Sequence, residues 1–427
     1  MTTPVESECE DLNGAGQLVV DSIHRDAVEK VLAELKIQAT EVGSAPAFDL
    51  TLLDLEHGPV PGHDDTQPVA DLDPVLNEVR ARFAGRCGGW VPLIGKNRQM
   101  NSVFGAYPQT KSHTLWDPKP VDRPSGWLTE HAGKGEGVRV GLLDTRIYEH
   151  EAIPGEAIEP MGFTLDKAPD SVFFEAGHGI FMAGLILNQA PAAKLVARAA
   201  LKDDGKASAW CVVKQLEKFY LDEPKDRVQV LVLASGCRTH DGKAPLILER
   251  AIERLNRRML VVAAAGNHGA MSGMSRDLQI TRNSPTWPAA LRDVVAVGLP
   301  TPFPDEDGEF ERLDYSPDLP WVTCTVDPGP RGEFVSAYFK STAVTLQSGA
   351  PLKGLKSGFV SWRGTSCAAA HLGGLIAAKM AEDEVDARTA FESLSRGSDS
   401  VAKPYEWEPE PQGATTPPRA ATVGPKE

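Results

Sequence analysis

The spacing of apolar residues changes along this chain. In HRDAVEKVLAELKI, residues Val28, Val31, Leu32 and Leu35 recur at three- and four-residue intervals, the period of an amphipathic helix. The run before it, QLVVDSI at 17–23, predicts a strand, and further strands are expected at 38–42 and in FDLTLLDL at 48–55. A loop rich in Pro, Gly and Asp covers 57–72. Asp73 then reads as an N-cap with Pro74 at the first helical position. Val75, Leu76, Val79 and Phe83 give that helix its apolar side, and WVPLI at 90–94 reads as a last strand. The order β-α-β-β-α-β is the split βαβ pattern, so 17–100 is expected to form a small α+β domain.

The pattern shifts after residue 137. Short apolar runs bounded by turns appear at 138–144, 194–201, 228–235, 259–266 and 294–298. Such runs suit strands buried on both faces of a parallel sheet. Helical segments fall between them at about 178–189, 207–220 and 245–257, with another at 366–380. The alternation predicts an α/β fold: a mostly parallel central sheet with helices on both faces, preceded by the small α+β domain. The expected organisation is a disordered 1–16, the α+β domain at 17–100, a Pro-containing connector at 101–130, the α/β domain at 131–396 and a disordered Pro-rich tail at 397–427.

Composition narrows the function. The chain has 427 residues, 41% hydrophobic and 24% charged, with a net charge of -15. Phosphate binding needs clustered Lys and Arg, so a nucleic-acid partner is not expected. The N-terminal stretch MTTPVESECEDLNGAG lacks the basic start and apolar core of a signal peptide. No window reaches the roughly 18–20 apolar residues of a membrane span. A cytoplasmic protein without a membrane partner is expected. The six cysteines are scattered without metal-ligand spacing, which predicts free thiols in a reducing compartment and no metal site.

Four polar residues stand where such a sheet builds its sites, beyond strand ends and at helix starts. Asp144 ends VRVGLLD, Asn267 follows VVAAAG, His178 opens an apolar helix, and Ser366 opens TSCAAAHLGGLIAAKM. Singly, each reads as a turn, cap or packing residue. Together, LLDTRI, GHGIFMAGLI, AAAGN and WRGTSCAAAHLGG resemble the motifs of the subtilisin-like serine proteases in residue type and in the order Asp, His, Asn, Ser. The resemblance spans roughly 125–385.

The resemblance implies a serine endopeptidase acting on a peptide or protein. Ser366 would be the nucleophile, His178 its base, and Asp144 the group that orients the imidazole. Asn267 would bind the oxyanion. Ala234, Ser235 and Gly236 would form one wall of the primary substrate pocket, and Ala264, Ala265 and Gly266 the other. With both walls small, the pocket is expected to admit a large side chain; close packing between strands accounts for the small residues equally well. Segment 205–210 would edge an extended-peptide groove. The N-terminal domain has the element order of the family's inhibitory and chaperone prodomain, to be cut within 100–125 or kept as a regulator. No cofactor is implied; calcium occurs in the family, but no ligand cluster maps here.

The alternative is a catalytically weak member of the fold that binds peptides or proteins, and a Ser-Glu-Asp carboxyl peptidase is disfavoured by His178. The chain departs from the family pattern at Arg146, Ile180, Cys367 and Ala370, and carries extra length within 301–358. Arg146 either alters the charge near the site or points to solvent. Cys237 and Cys367 pose thiol-reagent sensitivity against the plainer reading of small buried residues. His371 reads as a packing residue.

Overall fold

The computed structural model describes residues 16–56, 72–102, 117–159, 167–239, 242–268, 284–300, 316–317, 321–328, 332–340, 342–346, 348–396 and 402–404. The expectations for 1–15, for 57–71 and for most of the C-terminal tail lie outside these residues.

The N-terminal elements are β1 (Gln17–Asp21), α1 (Arg25–Glu34), β2 (Gln38–Ala45), β3 (Leu50–Glu56), α2 (Asp73–Arg86) and β4 (Ile94–Lys96). They form an antiparallel sheet in the order β2-β3-β1-β4. Each helical crossover leaves a gap that one strand fills, which is what the split βαβ order requires. Alternation along the strands divides the side chains between two cores. Leu18, Val20, Leu53 and Leu55 face Val28, Leu32, Val75 and Val79. Val19, Leu50 and Leu52 face the other way, into a core shared with the rest of the molecule.

Two local expectations are corrected. Leu72 is the N-cap of α2, while Asp73 is already helical and pairs with Lys96 at 2.7 Å. The strand expected at 90–94 starts only at Ile94. Trp90 instead sets its ring edge-on to His24 and Phe83, which holds this stretch off the sheet.

The chain continues through β5 (Gln99–Ser102), β6 (Lys119–Val121), β7 (Arg139–Asp144), β8 (Ile158–Glu159), β9 (Ser171–Phe173), α3 (His178–Gln189), β10 (Lys194–Ala199), β11 (Lys206–Ser208) and α4 (Ala209–Leu221). Then come β12 (Val230–Leu233), β13 (Ser235–Gly236), α5 (Leu246–Leu255), β14 (Leu260–Ala264), β15 (Val295–Gly298), β16 (Cys324–Val326), β17 (Phe334–Ala337), β18 (Ala343–Thr345) and β19 (Phe359–Trp362). The last elements are α6 (Thr365–Asp383), α7 (Ala387–Ser395) and β20 (Ala402–Pro404).

Among the described residues, eight strands form the main sheet in the order β20-β16-β15-β14-β12-β7-β10-β8. All neighbours are parallel except β20, which runs antiparallel to β16. Both faces are covered, so the central strands β12, β14 and β15 are apolar throughout. Val140 and Leu142 face the core of α3 and α6, and Leu143 faces that of α4 and α5. β20 falls in a segment expected to be disordered. It closes the free edge of β16, and an edge strand tolerates Pro404 because a missing N–H there costs little.

Small residues let α6 run close to its neighbours. A Cβ on Gly373 would stand 2.5 Å from Val232 Cγ2, and one on Gly374 would stand 2.5 Å from the carbonyl oxygen of Ile186 in α3. The N-terminal sheet docks on α4 and α5. Arg250 bonds Asp21 at 2.9 Å, Glu217 accepts from the Ala47 amide at 2.9 Å, and Asn97 Oδ1 accepts from the Trp210 amide at 3.0 Å. Among the described residues no helix is long and apolar enough to cross a membrane.

Candidate active site

Asp144 ends β7, and His178 opens α3. The imidazole Nδ1 lies 2.7 and 2.9 Å from the two carboxylate oxygens of Asp144, and both residues are buried. Thr145 ties the strand end to the helix start. Its amide donates to Asp144 Oδ1 at 2.7 Å, and its hydroxyl accepts from the Gly179 amide at 2.8 Å. Any side chain at Gly179 would collide with the Thr145 carbonyl, which explains the glycine after His178. The carboxylate therefore faces Nδ1 and leaves Nε2 as the ring nitrogen able to take up a proton.

Aromatic rings hold the imidazole in place. Trp362 stands edge-on to His178 at 5.7 Å and also contacts Phe174, Phe181 and Tyr338. Tyr338 is fully buried, donates to the Phe174 carbonyl at 2.6 Å, and fills the space beside Gly177. Trp362 ends β19, from which Arg363 and Gly364 lead into α6.

Ser366 sits in the first turn of α6, where unpaired amides and the helix dipole favour negative charge. Asn267 is held beside it. The Thr365 amide donates to Asn267 Oδ1 at 2.9 Å, and the Gly266 amide donates to Thr365 Oγ1 at 3.0 Å. The Asn267 amide nitrogen consequently points the other way. The Cβ position of Gly364 lies 3.1 Å from that nitrogen and 3.6 Å from Ser366 Oγ, so both atoms border one small space. Gly364 has φ +138°, a conformation that side chains disfavour.

The implied pocket walls are buried. Ala234, Ser235 and Gly236 follow β12, and Ala264, Ala265 and Gly266 lead to Asn267. Thr286 packs between the two glycines of these walls. A Cβ on Gly236 would meet Thr286 Cγ2 at 2.8 Å, and one on Gly266 would meet Thr286 Oγ1 at 2.5 Å. In front of the walls, β5 lies between β11 and β13, antiparallel to both. Asn101 pairs with Lys206 on one side and Gly236 on the other. The stretch expected to be a bare connector thus begins as a strand in the groove that 205–210 was expected to edge.

The departures have local explanations. Arg146 pairs with Asp203 at 3.4 Å. Ile180 is fully buried core. Cys367 is buried, as is Cys237, whose thiol burial pushes up to about 12; burial raises the Cys367 thiol as well, against a hydrogen bond from Ser366. Neither is a reactive thiolate, so the plainer reading of these cysteines holds. Burial lowers His371 to about 4, and its ring packs on Phe334. Among the described residues no group of three or more His, Cys, Asp or Glu is placed to hold a metal ion.

Thr145, Thr365 and Trp362 lie within the quoted motifs LLDTRI and WRGTSCAAAHLGG, but the sequence assigns them no role of their own. Thr286 and Tyr338 carry no local signal.

Comparison with known proteins follows the same lines. The profile described as Peptidase_S8, subtilase family, matches residues 135–390. Fervidolysin from Fervidobacterium pennivorans, a keratinolytic enzyme related to subtilisin, superposes with a TM-score of 0.58 at 14% identity, covering 92% of this chain and 59% of that one. A lanthipeptide protease aligns with a TM-score of 0.47 at 20% identity, covering 64% of this chain and 85% of that one. No curated protein matches.

Proposed function

The chain belongs to the subtilase family, and we propose that it is a serine endopeptidase hydrolysing peptide bonds of a peptide or protein. The observation that carries this reading is the buried Asp144–His178 pair, bonded at 2.7 Å through the nitrogen that leaves Nε2 as the base. Ser366 Oγ would attack the substrate carbonyl while His178 Nε2 takes its proton. The Asn267 amide and the first amides of α6 would hold the oxyanion. The protonated imidazole, stabilised by Asp144, would then protonate the leaving amine, and water would release the acyl group by the reverse sequence.

A fluorophosphonate probe tests this reading. The full chain is expected to be labelled at Ser366, with labelling lost in Ser366→Ala. Labelling that ignores this substitution would instead favour a binding role.

We further propose that the N-terminal unit restrains the protease. The pairing of β5 with both β11 and β13 supports this, because an extended substrate would add as a strand in the same place. Intact-mass analysis of wild type and Ser366→Ala separates the two fates of this unit. Self-cutting C-terminal to Ser102 appears as a shorter chain in wild type alone; retention leaves both at full length.

A further inference from the structure

We infer that Thr286 closes the primary substrate pocket, so that the residue before the cleaved bond must be small: Gly, Ala or Ser. This rests on the protease reading above and names the substrate class of that site.

The segment carrying Thr286 is tied to both walls. On one side, the Cys237 amide donates to the Trp287 carbonyl at 2.9 Å, and the Trp287 amide returns a bond to the Cys237 carbonyl at 2.8 Å. On the other, His268 Nε2 bonds the Ser284 carbonyl at 2.7 Å. His268 follows Asn267 directly, so this anchor joins the pocket base to the residue assigned to the oxyanion. The base therefore cannot swing out without breaking main-chain bonds.

The Thr286 side chain fills what the glycines leave open. Its methyl faces Gly236 and its hydroxyl faces Gly266, at the distances given above. Glycine on each wall would otherwise leave a slot one side chain wide. Thr286 is 4% exposed and His268 1%, so both are packed at the base rather than lining an open groove. The first wall is also the strand paired with β5, and the second is bonded to Thr365 next to Ser366. A side chain entering from the residue before the scissile bond would reach this slot. A ring or long chain reaching between the walls would meet Thr286 Cγ2 and Oγ1, which a methyl or hydroxymethyl group is too short to do.

The size of the effect follows from steric discrimination in apolar pockets, where one methylene is worth about 10–200-fold in kcat/KM. The wild type is therefore expected to prefer alanine over phenylalanine at this position by at least about 100-fold. Thr286→Gly should erase that preference, and Thr286→Ser, which removes only the methyl facing Gly236, should reduce it by about 10-fold.

The test uses the full chain and two single-residue N-acyl aminoalkyl phosphonates, alanine-like or phenylalanine-like and short enough to leave β5 in place, with rates of Ser366 labelling read by mass spectrometry. Faster alanine labelling in wild type, levelled in Thr286→Gly and intermediate in Thr286→Ser, supports the inference; the serine variant carries it if the glycine variant fails to fold. Equal or faster phenylalanine labelling in wild type overturns it. So does failure of both aminoalkyl probes on a chain that a simple fluorophosphonate labels at Ser366. Absence of Ser366-dependent labelling by the fluorophosphonate overturns the protease reading and this inference with it.

Discussion

The Thr365 amide donates to Asn267 Oδ1 at 2.9 Å. That bond fixes which end of the side-chain amide faces Ser366. Asn267→Ala should therefore lower kcat by about 10²–10³ with KM little changed, since the lost donor acts mainly on the transition state. The magnitude comes from subtilisin, a protein of the same family and the worked case for this effect. The Thr365 amide also loses its partner, so a fall of about 1 kcal/mol in stability should accompany the kinetic loss. Steady-state kinetics and urea unfolding on the same variant separate the two effects.

Asp144→Asn should preserve the fold and abolish most turnover. The carboxamide fills the same space, but its NH₂ competes for the imidazole face that Asp144 now accepts from at 2.7 and 2.9 Å. The ring would adopt the wrong tautomer, with kcat falling about 10⁴-fold near neutral pH. Part of the activity should return at alkaline pH. A loss that is flat across pH would contradict a tautomer effect.

Gly374→Ala should destabilise the protein although alanine favours helices. The helix gain is about 1 kcal/mol. Against it, the new Cβ would stand 2.5 Å from the backbone oxygen of Ile186, an atom that cannot rotate away. Separating α3 from α6 costs about 1–3 kcal/mol by overpacking, so a net loss of up to about 2 kcal/mol is expected in denaturant titration. Activity should fall too, because these helices begin at His178 and Thr365–Ser366.

Glu175 supplies a pH dependence. Burial pushes its carboxyl up to about 7, with Asp204 and Asp117 adding to the shift and Lys206 opposing it. The unfolded chain titrates this group near 4.5, so folding takes up a proton between the two values. Its contribution to stability is complete below the unfolded value and is lost as pH rises through about 7. Glu175→Gln removes the titration. Its Tm should match wild type near pH 4.5 and exceed it increasingly up to pH 8. A constant difference across that range would refute the assignment.

The sequence by itself determined the order of elements, the parallel sheet and the split βαβ unit. These follow from local periodicity and from the short-range rules linking strands through helices. It also singled out Asp144, His178, Asn267 and Ser366 where apolar runs meet turns or helix starts, but only their resemblance as a set to subtilase motifs gave them expected roles. It did not tell that Asp73 would pair with Lys96 instead of capping, or that the chain near 402–404 would close an edge of the sheet. Those outcomes depend on partners distant in the chain.

The tertiary structure alone decided what surrounds the four residues. Trp362 reaches His178 from far along the chain with Tyr338 packed behind it, β5 pairs beside Gly236, and Thr286 lies between the glycines of two segments. Small walls in the sequence suggested room. Whether that room exists depends on which distant side chain packs into it, and hydrophobic spacing in one strand holds no record of its neighbour's side chain.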